Sequence, residues 1–149
     1  MSERAEQLYT TRILRLAASI PHHARLEAPQ ASVRKVSPIC GSRVTVDLDM
    51  ADGRVSRFGQ EVRACALGQA AAAIVGGQVI GRTPGELAAA RDALKAFLKG
   101  SAAAPAGVWA DLALFEPAIP HRSRHGSIVL ALEAATEAAE TAARQAAGA

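Results

Sequence analysis

Aromatic residues make up 3% of this 149-residue chain, and cysteine occurs only at positions 40 and 65. With so few rings the core must be built from Leu, Ile, Val and Ala, and 35 alanines point to helices. Two cysteines do not make a secreted disulfide framework, and one bridge is the arithmetic limit. No uncharged apolar run approaches roughly 18 residues, which argues against a membrane span. No basic run of about five residues occurs, and 17 Lys+Arg against 14 Asp+Glu leave a net charge of only +3, so nucleic acid is not an expected partner. Met1 to Ser19 mixes Glu3, Arg4, Glu6, Arg12 and Arg15 with apolar residues and has no export-type apolar segment. The expectation is a cytoplasmic protein whose reduced thiols serve as ligands, nucleophiles or core residues.

What is present is half apolar, enough to bury a core. Tyr9, Ile13, Leu16, Ala17 and Ile20 recur at helical spacing until Pro21. Pro21 to Ser32 reads as a loop, with His22 and His23 solvated within it. From Arg43 the period becomes two: Val44, Val46, Leu48 and Met50 alternate with Thr45, Asp47 and Asp49, predicting a strand with one wet face. Asp52-Gly53 marks a hairpin turn, and a second strand runs from Arg54 to about Arg63. Its parity slips between Val55 and Phe58, which suggests a bulge near Gly59. Val33 to Val36 is a shorter third strand.

Ala66 to Val75 predicts a buried helix that Gly76-Gly77 ends. Thr83-Pro84-Gly85-Glu86 is a capping box opening a helix through Leu98, closed by Gly100. A connector from Ser101 to Gly107, a helical turn at Val108–Phe115 and a last helix from Arg124 complete the chain. The resulting fold class is α+β, a small three-stranded antiparallel sheet with helices packed on one face. It forms a single domain over residues 1–149, with an ordered core of about 6–140 and a flexible Ala-rich C-terminal tail.

Cys40 lies in Ser37-Pro38-Ile39-Cys40-Gly41-Ser42, just before the first long strand, and Cys65 stands where the hairpin gives way to the buried helix. A thiol at a helix start meets unpaired N–H groups and the positive dipole end, which favours thiolate. The bland reading of the pair is two small buried hydrophobes. Pro38-Ile39-Cys40-Gly41, the Asp52-Gly53 hairpin and the row Cys65-Ala66-Leu67-Gly68-Gln69-Ala70-Ala71-Ala72 resemble the iron–sulfur cluster assembly scaffold family of IscU, SufU and NifU N-terminal-domain type. In the SufU branch that row reads Cys-Ala-Ile-Ser-Gln-Ala-Ser-Ala. The resemblance spans about Leu8 to Ala139 and includes the stretch Leu112 to Ser127 before the last helix.

The resemblance implies a scaffold or carrier, not an enzyme, that binds iron, zinc or a nascent iron–sulfur cluster and meets a cysteine desulfurase and cluster-recipient proteins. It also implies three cysteines, an Asp two residues after the first, and a His beside the third. Position by position these fall on Cys40 and Cys65, on Ser42 for the Asp, on Gly126 for the third cysteine and on His125 for the histidine. A [2Fe–2S] cluster needs four ligands. One chain offers two thiols and one imidazole, so the chemistry left open is tetrahedral zinc or iron at Cys40, Cys65 and His125, or two chains sharing a bridging cluster as a homodimer. A ligand-free adaptor that only docks assembly partners is the alternative. The remaining candidates carry blander readings: His121 as a solvated neighbour of His125, and Arg43, Arg54, Arg57 and Arg63 as a solvated sheet face.

Overall fold

The computed structural model describes residues 8–147. The charges read at Glu3, Arg4 and Glu6, and the last two positions of the tail, lie outside them. Helix α1, Thr11–Ala18, opens on Thr10, whose hydroxyl accepts a hydrogen bond from the Ile13 amide at 3.2 Å. It is shorter than the apolar pattern predicts because Ser19 leaves helical geometry, at φ −137°. Strands β1 (Ala31–Val36), β2 (Arg43–Ala51) and β3 (Arg54–Arg63) form an antiparallel sheet in the order β1-β2-β3. Asp52 and Gly53 take φ of 53° and 76°, the paired positive values that a two-residue hairpin turn requires.

The predicted parity slip is real, but the bulge lies at Ser56. Asp49 pairs with Arg57 and Met50 with Val55, leaving Ser56 as the extra residue. Gly59 has another role. A side chain there would collide with the Ala24 carbonyl oxygen and the Leu26 side chain, because the segment 21–30 crosses the sheet at this point. That segment also corrects the expectation of a wet face on β2. Val44, Val46 and Leu48 face the helices, and on the other side Thr45 and Asp47 are buried as well.

Asp47 is the anchor of this crossing. Its carboxylate accepts from Arg25 Nε at 2.6 Å and Arg25 NH2 at 3.2 Å, from the Ser32 hydroxyl at 2.7 Å and from the Leu26 amide at 3.0 Å. Burial on its own would raise the carboxyl, but the hydrogen bonds of Arg25, Ser32 and Leu26, with the charge of Arg25, hold it below its ordinary value. The segment also covers the outer edge of β3: the Gln60 amide donates to the His22 carbonyl at 2.9 Å and the Val62 amide to His23 Nε2 at 3.4 Å. Farther along the same edge the Val55 amide donates to the Arg82 carbonyl at 2.9 Å. His22 and His23 are exposed as expected, with His22 edge-on to Phe58.

Helix α2, Ala66–Gln78, is buried from Leu67 to Gly76 except at Gln69. It runs through Gly76-Gly77, where a stop is predicted. A Cβ on Gly76 would lie 2.8 Å from Gln60 Nε2 and 3.0 Å from the Pro21 carbonyl oxygen, so this glycine is set by close packing. Helix α3, Pro84–Leu98, carries the predicted capping box between Thr83 and Glu86. A 3₁₀ segment, Gly107–Ala118, extends the expected helical turn. Helix α4, Arg122–Ala147, starts two residues early and stays helical beyond residue 140, with Ala142 buried. It packs on β1, β2, α2 and α3, placing the helices on one face of the sheet.

Replacing Asp47 by Asn keeps the shape but turns an NH2 group toward donors. The expected loss is about 2 kcal/mol, read as a lower urea midpoint at pH 7. A depressed carboxyl contributes stability that is present above its unfolded value and lost as pH falls through the folded one. The gap between wild type and Asp47→Asn should therefore be full at neutral pH and close below about pH 3.9. A gap that does not change with pH would overturn this account.

Candidate functional site

The β1–β2 connection is tied by two backbone bonds, Ser37 N–H to the Ser42 carbonyl and Gly41 N–H to the Ser37 carbonyl, both 2.8 Å. Gly41, at φ 69°, supplies the left-handed step the turn needs. This geometry leaves Ile39 at the tip, 77% exposed, and holds Cys40 half-buried beside it. Cys40 Sγ donates to the Ser123 carbonyl in the first turn of α4 at 2.8 Å. Cys65 is also half-buried and occupies the N-cap of α2, with extended backbone and no side-chain capping bond. Its position at a helix start is the one predicted.

Both thiol segments converge on the start of α4. Ser42 Oγ and Ser127 Oγ share a buried hydrogen bond of 2.6 Å. A Cβ placed on Gly68, in the first turn of α2, would come within 3.3 Å of the Ser127 carbonyl oxygen. A Cβ on Gly126 would lie 2.7 Å from Ser37 Oγ. The Asp position of the resemblance is thus a serine turned inward to a second hydroxyl. The third-cysteine position is a glycine whose side-chain space Ser37 already borders.

His125 does not join the two cysteines as a ligand set. Its Nε2 lies 2.8 Å from the Ala118 carbonyl, and the ring lines a groove with Leu98 and Lys99. A carbonyl only accepts, so Nε2 carries the proton and, in the neutral ring, Nδ1 is the free acceptor. Among the described residues no three His, Cys, Asp or Glu side chains are grouped to hold a metal ion, so the expected trio Cys40, Cys65 and His125 is not assembled here. His121 is half-buried and precedes α4, where a solvated residue is expected.

On the sheet, Arg54 pairs with Glu86 at 3.2 Å and Arg57 with Asp49. Arg43 and Arg63 sit opposite each other at the thiol end, without an acidic partner among the described residues. The sequence reading missed Ser37, Ser123 and Ser127. Only the serines flanking Pro38-Ile39-Cys40-Gly41 offered a signal, because a hydroxyl pair between residues 42 and 127 has no local pattern. Ser42→Ala should cost about 1–3 kcal/mol by leaving the Ser127 hydroxyl buried and unpaired, and Ser42→Ala/Ser127→Ala should recover most of that loss. Urea unfolding of the four-member cycle checks it, and simple additivity would reject the coupling.

No protein-family model matches the chain, and no curated protein matches it significantly. Solved structures do match. The crystal structure of a nitrogen-fixing NifU-like protein (N-terminal) from Brucella abortus superposes with a TM-score of 0.92 at 39% identity, covering 96% of this chain and 99% of that one. A structure described as a candidate iron–sulfur cluster assembly scaffold protein for the SUF system, from Fervidobacterium islandicum AW-1, superposes at 0.82 with 18% identity, covering 91% and 98%. The second shares the fold. The first, at 39% identity over nearly the whole of both chains, shows that this chain belongs to the NifU-like N-terminal-domain family.

Proposed function

We propose that the protein is a carrier in iron–sulfur cluster assembly that takes iron, zinc or a nascent cluster as cargo on Cys40 and Cys65. The observation that carries this reading is the convergence of both thiol segments on the first turns of α4, in a chain of the NifU-like family. Nothing in the reading requires bond-making chemistry by the protein, so it is a holder of cargo and not an enzyme.

Ligand arithmetic defines how the cargo is held. Two thiolates per chain fill half the coordination of a [2Fe–2S] cluster or of a tetrahedral zinc ion. The other ligands come from a second copy, from a cysteine desulfurase or recipient protein, or from exogenous thiol or sulfide. A homodimer sharing one cluster uses all four cysteines. The setting proposed is the cytoplasm, where both thiols stay reduced.

A specific set of observations favours the adaptor reading in the absence of such help. Ser42 is turned to Ser127, residue 126 is glycine, and the Cys40 thiol is engaged by the Ser123 carbonyl. In that reading the protein docks assembly partners without carrying anything.

Anaerobic reconstitution with iron and sulfide separates the two. The carrier reading expects sulfur-to-iron charge-transfer absorption with matching iron and acid-labile sulfide, lost in Cys65→Ala and in Cys40→Ala. Sedimentation of the loaded protein then reads how many chains share the cargo. Absence of any band or bound metal, alone or with added thiol, overturns the carrier reading; retained desulfurase binding in that sample supports the adaptor. Gly126→Cys/Ser37→Gly supplies a third thiol and removes the hydroxyl bordering it, so it should lengthen the lifetime of the bound cluster.

A further inference from the structure

Behind the thiol end, on the α3 side of α4, lies a groove that the cargo reading does not use. It is bounded by the end of α3, the end of the 3₁₀ segment and the first turns of α4. Its wider part, about 630 Å³, is lined by Leu98, Lys99, Ile119, Pro120, Arg122 and His125. A narrower part of about 280 Å³ shares Leu98, Lys99 and His125 and runs past Gly126 to Val129. Leu98 and Val129 make an apolar floor, 1% and 7% exposed.

The charge of this groove has one sign. No carboxylate lines either part. Lys95, at the narrow end, is paired with Glu133 at 2.9 Å. Lys99 and Arg122 are exposed and have no acidic partner among the described residues. The first turn of α4 holds no acidic residue but carries Arg122 and Arg124, opposite to the charge a helix start prefers. Local rules are broken most often at functional sites, which makes this cationic start a candidate contact surface.

We propose that this groove is the docking site for an acidic, amphipathic segment of a partner protein, its carboxylates on Lys99 and Arg122 and an apolar side chain over Leu98 and Val129. The two parts adjoin through Leu98, Lys99 and His125 and are floored by apolar side chains, which suits a peptide; a small anion would satisfy the cations and leave the floor open. The start of α4 has Cys40 held at the Ser123 carbonyl and Gly126 on the groove, so a segment seated there brings its protein near Cys40. In this the inference rests on the carrier reading, but the docking itself does not require bound cargo.

The test titrates the 15N-labelled full chain with a short synthetic peptide alternating Glu and Leu. Amide shifts are expected at Leu98, Lys99, Ile119, Arg122, His125 and Val129, weakening as salt is raised. Lys99→Glu/Arg122→Glu should lower the affinity roughly tenfold or more, and Lys99→Gln more mildly should that double variant fail to fold. Shifts centred on Arg43 and Arg63, an affinity unchanged in these variants, equal binding of a Lys/Leu peptide, or saturation of the same shifts by free succinate would each overturn the proposal. Cys40→Ser/Cys65→Ser separates the two readings: it abolishes reconstitution and leaves peptide binding intact, whereas Lys99→Glu/Arg122→Glu does the reverse.

Discussion

The close approach of small residues to the start of α4 is the constraint from which the arrangement of the thiol end follows. Gly68 brings the first turn of α2 within contact distance of the Ser127 carbonyl, and Gly126 lets Ser37 reach the same turn from the β1–β2 connection. A larger group at either glycine would force the helices or the loop apart. Both approaches meet at the start of α4, which Cys40 touches directly and the helix that begins after Cys65 reaches through Gly68. The alanine-rich faces of α2 and α4, buried almost throughout, extend that close packing through the core.

Much of this was legible in the chain and some was not, for identifiable reasons. The hairpin, the capping box at Thr83 and the helical start at Cys65 are local signals, each set by residues within four positions of one another. The errors arise where a distant segment intervenes. Asp47 reads as a wet-face residue because alternation says nothing about Arg25, 22 positions earlier, lying across the strand. Gly76 reads as a helix stop because a glycine that ends a helix and one that admits Gln60 and Pro21 look the same in sequence. The site divided along the same line. The placement of Cys65 at a helix start follows from its neighbours, while the ring of His125 is directed by a carbonyl of the 3₁₀ segment that no spacing rule anticipates.

The substitutions at the thiol end are also coupled. Ser42 and Ser127 satisfy one another inside the protein, and Ser37 borders the space beside Gly126. An aspartate at position 42 would bring a charge into the place of a neutral hydroxyl pair and lose its partner's geometry. At position 42 a hydroxyl, satisfied by Ser127, stands where the resemblance has an ionisable group, and at 126 a glycine leaves room for Ser37.

The cover over β3 has a consequence for how copies of this protein can meet. Three of its outward amides, at Val55, Gln60 and Val62, are already engaged by Arg82, His22 and His23. A strand edge with these donors engaged is a poor template for another strand, which disfavours growth of the sheet from that side. Extension of the sheet from one copy to another is therefore disfavoured at β3 and left to the β1 side.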